Sequence, residues 1–348
     1  MKRAGSSLLF SFVKAAITVS LIAWICSKID FSLLARHLQG GGVVYLALGT
    51  LLLALNDTVV ATRWYLILRR LNVKAVSLAY IVASTYAGVF IGQAAPGPIG
   101  ADAVRGWMCH RRGVPLRTIV MSLVTDRVLA LLGYLAVAMT AGYWQVEVVG
   151  ANVGRHLAVL AAVAAAAAVT VLWLMPALTG ALAKRWRRFH AAHDLLAMFR
   201  FTALSGAGAL GMALSCVVVA ITVNAVMLLS RGFGFGLAPS VAYLVVPIAI
   251  LFAALPISIG GWGVREASLS YGLTLFGTPP HDAALVALAL GIGFLLASLP
   301  GGIAVLALGG KVRPPLPGGS GKAAAPQKDS GPAGGLPSRE QASPRQSR

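Results

Sequence analysis

The 348-residue chain is 58% hydrophobic and only 11% charged, with a mean hydropathy of +0.81. Soluble domains carry about a quarter charged residues, so a water-soluble globular fold is excluded. The formal net charge of +19 does not mark a nucleic-acid binder, because the basic residues flank apolar runs and build no separate hydrophilic domain.

Lipid admits only helices and closed barrels, since every backbone polar group must be satisfied internally. The apolar runs here are long, rich in Ala and Leu and without period-2 alternation, which predicts helices. Eight stretches follow in chain order: about 8–27, 42–62, 76–95, 118–142, 156–176, 205–229, 239–255 and 282–308. The first follows Lys2 and Arg3 as a secretory signal would, but it runs to Ser27 without a small-x-small cleavage site, so it reads as a retained helix. Residues 1–310 are expected to form the membrane domain. The segment 311–348, basic and rich in Pro, Gly and Ser, is expected to be a disordered cytoplasmic tail. Cys26, Cys109 and Cys216 are odd in number and lack metal-ligand spacing, so neither a disulfide framework nor a metal site is expected, and no cofactor is assigned.

Charge selects a topology. If all eight stretches crossed the bilayer, Lys and Arg would show no side preference, against the positive-inside rule. Two re-entrant hairpins, about 76–112 and 239–277, restore it. Lys2, Arg3, Arg63, Arg69, Arg70, Lys74, Arg111, Arg112, Arg117, Lys184, Arg185, Arg187, Arg188, Arg200, Lys311 and Arg313 then face the cytoplasm. Only Lys28, Arg36, Arg155 and Arg231 remain outside. The fold class expected is an all-α polytopic membrane protein with about six full spans plus two re-entrant hairpins. Both termini are expected in the cytoplasm, and the protein in the inner membrane of a bacterial cell.

The hairpin tips share a pattern. "PGPIGADAVR" from Pro96 and "PISIGGWGVRE" from Pro256 both fit P-x-x-I-G-x-x-x-V-R, matching at Pro96/Pro256, Ile99/Ile259, Gly100/Gly260, Val104/Val264 and Arg105/Arg265. Each copy precedes a Gly-x-Pro, at Gly113/Pro115 and Gly277/Pro279, that leads into a long last helix. The halves, about 8–142 and 156–308, each hold three full crossings, so the second is expected to be inverted, as in many transporters.

Few charges fall inside the membrane: Lys14, Asp57, Asp102, Arg105, Asp126, Arg127, Arg265 and Glu266. Such residues are costly and usually face a partner or a cavity. Lys14 can snorkel to the surface. Asp57 is placed to pair with Arg63 or to cap a helix interface. Arg105 and Arg265 are expected at the starts of half-helices, where exposed N–H groups and guanidinium forks suit a phosphate. The substrate-binding set is Arg105, Arg265, Asp102 and Glu266 with Gly97, Gly100, Gly260 and Gly261. Asp126, Arg127, Gln93 and Asn224 are supporting candidates, and Asp126 and Arg127, about 100° apart on a helix, are expected to have different partners. A purely structural role for the hairpin ion pairs stays open beside ligand binding.

"NDTVVATRWYLIL" (Asn56–Leu68), "GQAAPGPIGADAVR" (Gly92–Arg105), "SLVTDRV" (Ser122–Val128) and "LPISIGGWGVRE" (Leu255–Glu266) resemble the lysylphosphatidylglycerol synthase transmembrane-region family, over about residues 8–310. The resemblance implies a flippase-like domain of the kind found in multiple peptide resistance factors, where it moves aminoacylated phosphatidylglycerol between leaflets. Pro98 and Ala101 stand where family members often carry Arg or Gly-Glu, leaving Asp102 as the first motif's acid. The soluble aminoacyl-transfer domain is not expected here, so lysyl transfer is not either. No catalytic residue is assigned: G-x-S-x-G, H-E-x-x-H and the Walker pattern are absent from the sequence. The reading is translocation of an anionic phospholipid, an aminoacylated phospholipid or a polyprenyl or glycolipid carrier. The alternatives are a membrane component of a lipid-modifying transferase and a scaffold subunit. The partners expected are a lipid with an anionic headgroup and an enzyme of lipid or glycolipid modification, with no nucleic acid.

Overall fold

The computed structural model describes residues 42–93, 99–144, 179–180, 190–255 and 258–308, all within the unit Met1–Val312. The apolar stretches 8–27 and 156–176, the tail 311–348, Lys14 and Gly97 lie outside the described residues. Among the described residues there are nine helices and no strand.

In chain order they are α1 (Val43–Arg70), α2 (Leu78–Gly92), α3 (Ile99–His110), α4 (Leu116–Trp144), α5 (His190–Ala203), α6 (Gly206–Gly232), α7 (Pro239–Ala253), α8 (Val264–Leu275) and α9 (Pro280–Leu308). Local chemistry sets their ends. The Ser77 hydroxyl accepts from the Tyr80 N–H and that of Ser205 from the Gly208 N–H, each capping a new helix. Gly113 at φ +83° and Gly277 at φ +85° close α3 and α8 in the left-handed conformation glycine tolerates. Pro115, just before α4, and Pro280, the first residue of α9, then open the next helices, where a missing N–H costs nothing.

The helix α1, most of α4 and α9, and α6 are long and apolar enough to cross a membrane; α2 and α7 are apolar but shorter. The protein is a helical membrane protein. Its outer face is apolar: Leu51, Leu55, Leu131, Leu299, Ile303 and Leu306 are exposed. Hydroxyls inside the spans bond back to their own helix, Thr62 to the Thr58 carbonyl, Thr125 to Met121 and Thr222 to Val218. Each of these hydroxyls is thereby satisfied within its own helix.

The element lengths recur. α1–α4 hold 28, 15, 12 and 29 residues, and α6–α9 hold 27, 15, 12 and 29. The stretch 76–95, long enough in sequence to cross a membrane, folds as a 15-residue helix. Each short pair is antiparallel. The Tyr80 hydroxyl at the start of α2 donates to the Met108 carbonyl near the end of α3, and Gly88 and Gly92 lie against Ala101. Likewise Gly272 packs on Val245 and Gly261 faces Ala253. The halves interlock: α1 runs antiparallel to α6, with Leu46 beside Gly232 and Arg63 beside Ser215. α2 packs on α9 and α7 on α4. One apolar core lies among α1 and α6–α9, around Val223, Val246, Leu269 and Leu290; a second joins α1 to α4 around Trp64, Ile81 and Ile119.

Two expectations need correction. Arg63, assigned above to the cytoplasmic charges, is buried well inside α1. Arg105 does not start a half-helix but is the seventh residue of α3, because Gly100-Ala101-Asp102-Ala103 continues as helix. At the matching place in the second copy, Gly260, Gly261 and Gly263 all have positive φ, so α8 begins only at Val264 and Arg265 is its second residue.

Candidate functional site

A connected group of charges crosses three helices. On α1, the Arg63 Nε donates to Asp126 Oδ1 at 2.7 Å and its Nη1 to the Ser215 hydroxyl at 3.0 Å. Arg105, from α3, donates Nη2 to Asp126 Oδ2 at 2.9 Å and Nε to Asp102 Oδ1 at 2.9 Å. Arg127 Nε reaches the other oxygen of Asp102 at 2.6 Å. Asp126 and Arg127 therefore serve different partners, as adjacent residues on a helix must. Three guanidiniums meet two carboxylates, leaving this group one positive charge in excess. The Arg105 guanidinium also lies over the Trp64 ring at 4.6 Å, and the Trp64 indole donates to Ser122 at 3.0 Å. This positions the cation from below as well as from its sides.

The second tip is built locally. The Glu266 carboxylate accepts from the Gly263 N–H at 2.6 Å, so the start of α8 is occupied by the chain's own anion. Its other oxygen accepts from Nε and Nη2 of Arg265. The rings of Trp262 and Phe294 lie 5.3 and 5.0 Å from that guanidinium. Gly291 of α9 makes room, since a Cβ there would sit 2.5 Å from Glu266 Oε1. The end of α2 meets the second tip: the Trp262 indole donates to Gln93 Oε1 at 3.1 Å, and Gly260 lies against the Gln93 carbonyl.

Two cavities open beside these groups. One, of about 270 Å³, is lined by Arg63, Arg105, Asp102, Asp126 and Thr85 among others; the second, of about 240 Å³, by Gln93, Gly260, Gly261, Arg265 and Phe294 among others. They share Asn56, Val89, Ala101, Arg127, Tyr134, Ile250 and Ala254, so they are two chambers of one cleft. Three residues that line the first chamber each carry a buried polar atom with no hydrogen-bond partner: Arg105 Nη1, Asn56 Oδ1 and Thr85 Oγ1. Buried polar groups are normally satisfied, so three clustered around one chamber are exceptions that suit a polar ligand or water there.

Of the sequence candidates, Asp102, Arg105, Asp126, Arg127, Arg265, Gly260, Gly261 and Gln93 line the cleft. Glu266 stands directly behind Arg265, while Gly100 is inside α3 and lines neither chamber. Asn224 is not brought to it: its amide donates to the Tyr243 hydroxyl at 3.0 Å on an exposed face. Asp57 does not pair with Arg63, which Asp126 holds; Asp57 is buried with Oδ2 unpartnered. Arg63, Asn56, Thr85 and Tyr134 are polar cleft residues that sequence reasoning did not select. Arg63 is one residue before Trp64 and seven after Asn56, a helical spacing that puts it on the same face as Asn56. Among the described residues no group of three or more His, Cys, Asp or Glu is placed to hold a metal ion.

The model of the lysylphosphatidylglycerol synthase TM region family matches residues 11–301, and the chain belongs to that family. No curated protein and no solved structure matches it.

Proposed function

With that membership as the premise, we propose that the protein moves an anionic membrane lipid between leaflets, its headgroup passing through the two-chamber cleft while its tails stay in the bilayer. The observation that carries this reading is the first chamber: one excess positive charge beside three buried polar atoms with nothing to bond. A phosphate oxygen satisfies the free Arg105 N–H and neutralises the charge in the same contact. The family's name, which couples a membrane region to a phosphatidylglycerol derivative, supports the same class of cargo.

The pairs α2–α3 and α7–α8 are read as re-entrant hairpins of an inverted repeat. Helices of 15 and 12 residues reach about 22 and 18 Å, short of a roughly 30 Å hydrocarbon core. Non-helical backbone at membrane depth needs protein or a wet cavity around it, and Gln93 at the end of α2 and Gly260 and Gly261 before α8 border the cleft. A bacterial inner-membrane location with cytoplasmic termini, and a partner enzyme that modifies the same lipid, complete the reading.

Leaflet exchange of labelled phosphatidylglycerol in proteoliposomes tests it. Wild type should exchange the lipid faster than protein-free vesicles. Ile250→Trp, whose ring fills the wall shared by both chambers, should not. No acceleration by wild type for phosphatidylglycerol or any other anionic phospholipid would overturn the proposal.

A further inference from the structure

We infer that the first chamber tells headgroups apart by their hydroxyls: Arg105 takes the phosphate, and Asn56 on α1 and Thr85 on α2 are the specificity-determining residues that bond a hydroxyl beyond it. The inference rests on the translocation reading above and narrows its cargo to an anionic phospholipid with a polyol headgroup. All three residues line that chamber.

Other polar side chains that line the cleft are already engaged: Asp126 accepts from Arg63, Asp102 from Arg105 and Gln93 from Trp262. Asn56 and Thr85 are 5% and 2% exposed, yet among the described residues nothing bonds Asn56 Oδ1 or Thr85 Oγ1. Like residues elsewhere in the spans behave differently. The Asn224 amide donates to the Ala220 carbonyl of its own helix as well as to Tyr243. The hydroxyls of Thr62, Thr125 and Thr222 each donate to the carbonyl four residues back. For Thr85 that acceptor is Ile81, whose carbonyl already accepts from the Ser84 hydroxyl at 2.9 Å. Asn56 and Thr85 also share a depth. Tyr86, the residue after Thr85, donates its hydroxyl to the Ala54 carbonyl and meets the Thr58 hydroxyl at 3.1 Å, so it brackets Asn56 on α1.

Polar groups buried without a bond destabilise a fold, so a cluster of them around a chamber suits a ligand that completes their bonding. The chemistry of the three atoms then defines the ligand. Arg105 Nη1 donates, which calls for an acceptor; Asn56 Oδ1 and Thr85 Oγ1 accept, which calls for donors. A phosphate oxygen answers the first and headgroup hydroxyls answer the other two. An ammonium would also donate, but it would cancel the phosphate's charge, and the cargo read above is anionic. A headgroup without hydroxyls leaves both acceptors buried and unbonded, which is how a polar site rejects the wrong ligand.

The test compares leaflet exchange of acyl-chain-labelled lipids in proteoliposomes, with phosphatidylpropanol as the probe that keeps the phosphodiester charge and lacks hydroxyls. Wild type should exchange phosphatidylglycerol, phosphatidylinositol or both about tenfold faster than phosphatidylpropanol, as two hydrogen bonds allow. Whichever of the two is faster identifies the polyol as a glycerol or a ring. The double substitution Asn56→Leu with Thr85→Val removes both acceptors at nearly constant shape and should bring that ratio within about twofold. It should leave the thermal midpoint of the lipid-free protein equal or higher, since no hydrogen bond of the resting state is lost. Equal wild-type rates for all three lipids overturn the inference, and so does a ratio that survives the double substitution. A lower midpoint, or failure to fold, shows that the fold itself uses the two groups and overturns it too. These outcomes leave translocation standing, whereas wild-type protein that exchanges no lipid removes the function and the inference together.

Discussion

The two copies of the P-x-x-I-G-x-x-x-V-R motif place an arginine at the same spacing and then secure it in opposite ways. In the first copy the anions come from a distance. Asp102 is three residues before Arg105 and Asp126 comes from α4, so the guanidinium ties α3 to α4 and, through Arg63, to α1. In the second copy the anion is the next residue, and aromatic rings replace the second carboxylate. The backbone differs to match. Ala101 and Ala103 favour helix and Asp102 suits its first turn, whereas Gly261 and Gly263 adopt the left-handed conformation that L side chains avoid. A duplicated spacing therefore need not give duplicated geometry: the residues between the matched positions decide where the helix starts.

The largest effect expected from this contrast is on stability. Asp126→Ala removes the bridge between two buried guanidiniums and should cost about 3–5 kcal/mol, seen as a large fall in thermal midpoint of the purified protein. Glu266→Ala strands one cation that keeps two aromatic faces, and should cost less, about 2–3 kcal/mol. The reverse order would mean that the first network is not the anchor of its half.

The residues that make this contrast were legible beforehand, though their different geometry was not, and the reason is physical. Charges are so costly in lipid that each one in an apolar run announces a partner or a cavity, which is how Asp102, Arg105, Asp126, Arg127, Arg265 and Glu266 were singled out. The Pro and Gly clusters likewise marked the breaks between α2 and α3 and between α7 and α8. Pairing was not legible, because it depends on which helices meet. Arg63 stood near a span end in sequence, and only the antiparallel packing of α1 on α6 and its contact with α4 reveals it as the second cation on Asp126. Asn56 and Thr85 were hidden for the same reason: a lone amide or hydroxyl in a helix usually bonds to a neighbour, whereas Asn56 Oδ1 and Thr85 Oγ1 have none and their residues line the cleft.

An intermediate effect separates the two hairpins by how tightly their arms close. A Cβ at Gly88 would lie 2.6 Å from the Ala101 carbonyl oxygen, and one at Gly272 would lie 2.5 Å from Val245 Cγ1. Backbone cannot rotate away and a valine methyl can. Overpacking costs about 1–3 kcal/mol, against which alanine regains about 1 kcal/mol of helix propensity. Gly88→Ala should thus lower stability by about 1–2 kcal/mol and Gly272→Ala by less than about 1 kcal/mol, measured as the shift in unfolding midpoint. Equal losses would show that the second hairpin is as rigidly closed as the first.

The smallest effect distinguishes position from chemistry. Gln93 and Asn224 are both amides that bond a single aromatic polar group, Trp262 in one case and Tyr243 in the other. Interhelical bonds of this kind in membranes average about 0.6 kcal/mol, so Gln93→Ala and Asn224→Ala should lower stability equally little. Their effects on lipid exchange should part. Gln93 joins the end of α2 to the second tip and lines a chamber, so its loss loosens the wall across which a headgroup passes. Asn224 lines neither chamber, and its loss should leave exchange at the wild-type rate. Equal slowing by both substitutions would mean that exchange follows the stability of the bundle, and the meeting of α2 with the second tip would lose its claim to be the path.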